Sequence, residues 1–208
     1  MKPKRFVVGL TGGIGTGKSR ALGVFESLGA ATLSLDQIAK EQAKPGREGY
    51  KAILRNFGPC ILRGDGTINR ALLGQVVFND KRARRGLERA THPLILKEMK
   101  ELLSRLKGLV VVDAPLLFEK KLRKNFDATI LIACKPREQL KRIVRRDGLS
   151  PKDAALRIKA QMPLAAKRRL ADVSIDNDKD IESLKTKIEE YHAGLNLLHR
   201  GMPNGNHN

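Results

Sequence analysis

Apolar positions along the chain fall into two kinds of run. Short, predominantly apolar stretches occur at Phe6 to Leu10, Ala31 to Leu35, Leu109 to Val112, Ala128 to Cys134 and Val173 to Ile175. A continuous apolar run of that length, bounded by turn residues, predicts a strand buried on both faces, as in a parallel sheet. Between these stretches the apolar residues recur at helical spacing. Ala21, Leu22, Val24, Phe25 and Leu28 form one stripe, with Gly29 placed to close the helix, and Leu184, Ile188, Leu195 and Leu198 mark a closing helix over 181–198. Strands separated by helices predict an α/β fold with right-handed crossovers. One interval breaks the alternation. Residues 37–107 carry the stripes Ile53, Leu54, Phe57 and Leu72, Leu73, Val76, Val77, Phe78, interrupted at Lys44-Pro45-Gly46, Gly58-Pro59 and Gly64-Asp65-Gly66. That interval reads as an inserted helical lobe whose stripes form its own core.

The first apolar run leads straight into Gly12-Gly13-Ile14-Gly15-Thr16-Gly17-Lys18-Ser19. Glycine, four residues, then Gly-Lys-Ser between a strand and an amphipathic helix is the P-loop pattern. A loop that wraps a polyphosphate must turn backbone N–H groups inward, and glycines permit the positive φ angles and close approach this requires. Lys18 is placed to reach the β and γ phosphates. Ser19 offers a hydroxyl to Mg²⁺, and the following helix turns its positive N-terminus toward the anion.

Two carboxylates follow strands. Asp36 comes after the second run, where an open α/β sheet binds ligands, but it could equally cap a helix beginning at Gln37. Asp113 ends Leu109-Val110-Val111-Val112 in the manner of a Walker-B strand, whose Asp holds Mg²⁺; it too fits a helix cap. Residues 137–169 are dense in base, with Arg142 and Arg146 four apart on one helix face and Arg157 and Gln161 four apart on another. Gly148 and Pro151 break this segment, which suits either a lid over phosphates or a solvated face. Arg70 and His92 are the polar residues to watch in the lobe.

The chain has 208 residues, 41% of them hydrophobic, enough for one substantial core. No apolar run approaches a membrane span, and the start of the chain has no signal-peptide pattern, so the expected location is cytoplasmic. Cys60 and Cys134 lack metal or redox spacing. The balance of 41 Lys and Arg against 22 Asp and Glu gives a formal charge of +19, which attracts anions without choosing among them. With no Trp and only two Tyr and six Phe, base-stacking aromatics are scarce, which argues against a specific nucleic-acid partner and leaves non-specific anion binding open. No obligate protein partner is evident.

Taken in order, these features resemble the dephospho-CoA kinase family over residues 6–195. The likeness rests on Gly9 through Ser19, Asp65-Gly66 with Arg70, His92-Pro93, Pro115-Leu116-Leu117-Phe118-Glu119, Gln161, Ala171-Asp172 and Ile175-Asp176-Asn177. It implies a three-layer P-loop NTPase fold with a five-stranded parallel sheet. A single kinase domain of residues 1–200 would comprise a core (1–36, 108–140, 168–200), a helical acceptor lobe (37–107) and a helical lid (141–167); residues 201–208, rich in Gly, Asn and Pro with no apolar pattern, read as a disordered tail. It also implies transfer of the ATP γ-phosphoryl to the ribose 3′-hydroxyl of dephospho-CoA, with Mg²⁺. In that pattern Asp36 is the general base and Lys18 the other catalytic group. Gly13, Ile14, Gly15, Thr16, Gly17, Lys18, Ser19, Arg20, Arg142, Arg146 and Asn177 meet ATP; Arg70, His92, Leu116, Leu117, Phe118 and Glu119 face the acceptor; Ser19, and Asp113 as a further candidate, serve the metal. Ser34 stands where the family usually has a second Asp, and Arg20 where it usually has a small hydroxyl residue. The competing expectations are another small-molecule or nucleotide kinase of this fold, or a catalytically weak, basic, RNA-binding P-loop protein.

Overall fold

The computed structural model describes residues 5–201, and side chains for 5–195. The first apolar run becomes β1 (Arg5–Gly12), which extends two residues beyond Leu10 because Thr11 is buried and its hydroxyl donates to Pro115 O at 3.2 Å. The P-loop turn leads into α1 (Lys18–Ser27), and Gly29, at φ 85°, turns the chain into β2 (Ala31–Ser34). After α2 to α5, described below, come β3 (Gly108–Asp113), β4 (Ala128–Ala133), α6 (Pro136–Asp147), α7 (Pro151–Lys159), α8 (Leu164–Leu170), β5 (Val173–Asp176) and α9 (Ile181–Gly201). Five strands form one parallel sheet in the order β2-β3-β1-β4-β5. Leu10 pairs with Asp113 in β3 and with Ile130 in β4, so the P-loop leaves the carboxyl end of the central strand.

Period two divides the strand residues between faces. Val8, Leu10, Val111, Ile130, Ile132 and Ile175 form one buried cluster with Ala21 and Phe25 of α1 and Leu184, Ile188 and Leu195 of α9. Val7, Val110, Val112 and Leu131 are buried outside that cluster, and Leu117 and Phe126 crowd over Gly9 between them. Each cluster residue of Leu or Ile size contributes about 1.5–3 kcal/mol through its burial.

The chain separates into two compact units, Met1–Leu33 with Leu106–Asn208, and Ser34–Arg105. The second contains α2 (Leu35–Gln42), α3 (Glu48–Phe57), a 3-10 turn at Pro59–Ile61, α4 (Arg70–Asn79) and α5 (Lys81–Ser104), with a single bridge, Leu62 to Ile68, in place of strands. Its core is Ile53, Ile61, Ile68 and Leu73, flanked by Leu54, Phe57 and Val77, so five of the eight stripe residues take part. Phe78 departs from them. It is 85% exposed, because its position falls off the face that carries Leu73 and Val77.

Three further expectations need correction. The second strand ends at Ser34, and α2 starts at Leu35, so Asp36 lies in a helical first turn and caps nothing. Ser34 is the cap, its Oγ accepting from Gln37 N at 3.3 Å. Gln161 lies beyond the end of α7 and shares no helix face with Arg157. Gly201, expected in a tail, is the last residue of α9; the rest of that predicted tail, 202–208, lies outside the described residues. Among the described residues, no helix is long and apolar enough to cross a membrane.

Candidate active site

The Gly12–Ser19 turn lines a cavity of about 570 Å³ with Gly13, Ile14, Gly15, Gly17, Lys18, Ser19, Arg20, Arg142, Arg145, Arg146 and Asn177. That volume is within the range of small-molecule sites. Gly15 and Gly17 adopt φ of 76° and 91°, which a side chain would oppose, and a Cβ at Gly17 would run into the Asn177 amide. Thr16 is buried and its hydroxyl donates to Gly13 O at 2.9 Å, so it braces the turn from inside. Thr16 N–H donates to Gly13 O at 3.3 Å, which leaves N–H groups of Gly15, Gly17, Lys18 and Ser19 at the start of α1, where the helix dipole adds positive potential.

Four arginines line this cavity. Arg142 and Arg146 lie one turn apart on α6, and Arg145, which sequence reasoning left among the general basic residues, lines the cavity with them. Arg146 is ion-paired to Asp147 at 2.6 Å, and this pair holds the Asp147 carboxyl below its ordinary value. Arg142 differs: one terminal nitrogen donates weakly to Lys179 O at 3.5 Å, and the other, Nη1, is buried with no hydrogen-bond partner among the described residues. A buried cationic donor without a partner is costly unless an anion completes it. Lys18 is ion-paired to Asp113. Ser19 is exposed, and no group of three or more His, Cys, Asp or Glu side chains that could hold a metal ion gathers among the described residues. Magnesium bound through nucleotide phosphates and water needs no such group.

Asn177, at the end of β5, is 5% exposed; its Nδ2 donates to Thr16 O at 2.8 Å and its own N–H to Ala133 O at 2.8 Å. Pro115 to Glu119 forms the turn after β3. Within it Leu117 and Phe118 are core residues at 0% and 8% exposure, whereas Leu116 is 44% exposed. Glu119 has a partner the sequence did not reveal. Lys167 of α8 is fully buried, donates to Pro115 O at 3.0 Å and lies 2.8 Å from Glu119 Oε1. Neither carboxylate oxygen of Glu119 has an aligned donor, so charge and not hydrogen bonding holds it there.

In the 34–105 unit, Arg70 opens α4, is exposed, and donates to Lys40 O at 3.1 Å. It lines a smaller cavity of about 200 Å³ with Lys40, Gln42, Thr91 and Ile95. His92 is half-buried within α5, just before Pro93, and does not line that cavity. Asp36 is exposed in the first turn of α2. Asp65-Gly66 is a turn: Asp65 Oδ1 accepts from the Thr67 hydroxyl at 2.6 Å and its N–H at 2.9 Å, which lowers the Asp65 pKa.

A P-loop between the central strand of a parallel sheet and its following helix, facing a cavity edged by helical arginines, defines a nucleotide-binding phosphotransferase of the P-loop kinase class. The dephospho-CoA kinase family model matches residues 6–183. A dephospho-CoA kinase of Carboxydothermus hydrogenoformans is 42% identical over 186 residues, covering 88% of this chain and 90% of its own. The structure of TT1252 from Thermus thermophilus aligns with a TM-score of 0.81 at 33% identity, covering 94% of this chain and 99% of its own. That of the Campylobacter jejuni dephospho-CoA kinase aligns at 0.68 and 30%, covering 93% and 98%. The chain belongs to the dephospho-CoA kinase family, a family of kinases in coenzyme A biosynthesis.

Proposed function

We propose that the protein transfers the γ-phosphoryl of ATP to the ribose 3′-hydroxyl of dephospho-CoA, giving coenzyme A and ADP. The observation that carries the nucleotide half is Arg142 Nη1, a buried donor without a partner beside a P-loop cavity. Family membership supports the acceptor. Phosphoryl transfer leaves little covalent work for a protein, so the residues act by placing charge. Lys18 leaves Asp113 for the β and γ phosphates, and backbone N–H groups of Gly15, Gly17, Lys18 and Ser19 take phosphate oxygens. Arg142, with Arg145 and Arg146, neutralises charge that spreads over the transferred group. Asn177 and Arg20 border the rest of the nucleotide. Ser19 and the released Asp113 would hold Mg²⁺, which supplies further charge neutralisation between the phosphates. Asp36 accepts the 3′-hydroxyl proton, and its exposed carboxylate in the first turn of α2 leaves it open to a ligand. Arg70, His92, Leu116 and Glu119 serve the acceptor, while Leu117 and Phe118 shape the turn from within. The compartment in this proposal is cytoplasmic, in keeping with two free cysteines.

The test is a steady-state assay offering dephospho-CoA, AMP, CMP and shikimate separately with ATP and Mg²⁺. Turnover with dephospho-CoA and background rates with the others is the expected result. Turnover confined to any of the last three would overturn it.

A further inference from the structure

N–H groups can ring a phosphate only where the intervening carbonyls turn outward, and outward carbonyls need donors of their own. In this P-loop those donors come from far along the chain. Ile14 O accepts from Gln139 Nε2 at 2.7 Å, and Ile14 N–H donates to Gln161 Oε1 at 2.8 Å. Both polar atoms of one crest residue are thus held by two glutamines, one from α6 and one from the link between α7 and α8. Gln139 is 3% exposed, one turn before the fully buried Ile143, so it is a polar residue on the buried stripe of α6 and has to find a partner there. A Cβ at Gly13 would stand 2.8 Å from Gln139 Nε2, so the glycine itself makes room for this contact. The backbone fixes the polarity of each bond: Gln139 must donate and Gln161 must accept.

We propose that Gln139 and Gln161 are positioning residues for nucleotide binding. They grip Ile14 from both sides, hold the P-loop in its phosphate-receiving shape, and tie it to the basic α6–α7 segment that carries Arg142. The inference rests on nucleotide binding at the P-loop and not on which acceptor is phosphorylated.

The opposite polarity gives a charge-matched test in the full-length chain. Gln139→Glu replaces the donor with a carboxylate oxygen facing Ile14 O, whereas Gln161→Glu keeps an acceptor for Ile14 N–H; each adds one negative charge. Titration of ATP with Mg²⁺ by calorimetry gives the dissociation constants, and KM and kcat follow with saturating dephospho-CoA. Expected is ATP binding about tenfold weaker in Gln139→Glu than in Gln161→Glu, the size of one lost hydrogen bond, with KM for ATP moving and kcat little changed. Equal weakening of both would mean charge alone acts and would overturn the proposal. Should Gln139→Glu fail to fold, Gln161→Met removes the acceptor without adding charge. It should weaken ATP binding about tenfold, and an unchanged affinity would equally overturn the proposal. A wild-type chain that binds no ATP would instead contradict the nucleotide reading itself.

Discussion

Ile14 and the Thr16 carbonyl in the P-loop are held by side chains 125 to 161 positions away, whereas in the 34–105 unit the helix caps and turns are closed by near neighbours. In the latter, Ser34 and Asn69 cap their own helices, Asp65 closes its own turn, and the longest side-chain span, Gln42 with Glu98, is 56 positions. The difference separates two ways of building a site. The nucleotide cavity is shaped by long-range amides, so its geometry is vulnerable to changes far away in sequence. The helical unit takes its shape from apolar stripes and local caps, which leaves Asp36 and Arg70 exposed and exchangeable without loss of fold.

Replacing a group in the helical unit should therefore remove chemistry and spare both fold and nucleotide. Asp36→Asn is expected to lower the single-turnover rate by about 10² to 10⁴ while ATP affinity holds. A lost ATP affinity with an unchanged single-turnover rate would break the contrast. In the P-loop unit, Lys167→Met leaves the Glu119 carboxylate without its buried counter-charge and should cost about 3–5 kcal/mol by denaturant unfolding. Adding Glu119→Gln should recover part of that loss, since the unpaired charge is then gone; a fully additive double variant would show that the two do not interact.

A smaller effect appears as a pH dependence. Burial works against ionised Asp172, but the hydroxyl and N–H of Thr129 and the guanidinium of Arg123 outweigh it, so its carboxyl titrates below the ordinary value. The folded pKa is lowered, so its contribution is present above about pH 4 and disappears as pH falls through the folded value. Urea midpoints should drop in that acid range for the native chain and drop less for Asp172→Asn. Smallest of all, Phe78→Ser should change stability by no more than about 0.5 kcal/mol, because that ring already faces solvent.

Much of this was legible in the chain. Apolar residues announced the three central strands, whose burial on both faces leaves few polar positions, while the edge strands β2 and β5 carry Thr32, Ser34 and Ser174 and were marked by shorter apolar patterns; the glycine spacing announced the P-loop. α2 starts at Leu35 and not at Gln37, because Ser34, as good a cap as Asp36, takes the N-cap position. Lys167 was read as one more base in a charged segment; its burial depends on Pro115 and Glu119, 52 and 48 positions earlier, which local composition does not reveal. Gln139 carried a readable sign, an amide one turn before Ile143 on the apolar face of α6, although its partner at Ile14 was not foreseeable from spacing. The four-residue spacing from Arg157 puts Gln161 on a helix face, but α7 stops two residues before it.

The most direct measurement is ³¹P NMR of ATP, Mg²⁺ and dephospho-CoA turned over by the purified chain. One new phosphomonoester resonance, growing in step with ADP and assigned to the ribose 3′ position, is predicted. ADP formed without that ester, or an ester on any other hydroxyl, would contradict the assignment.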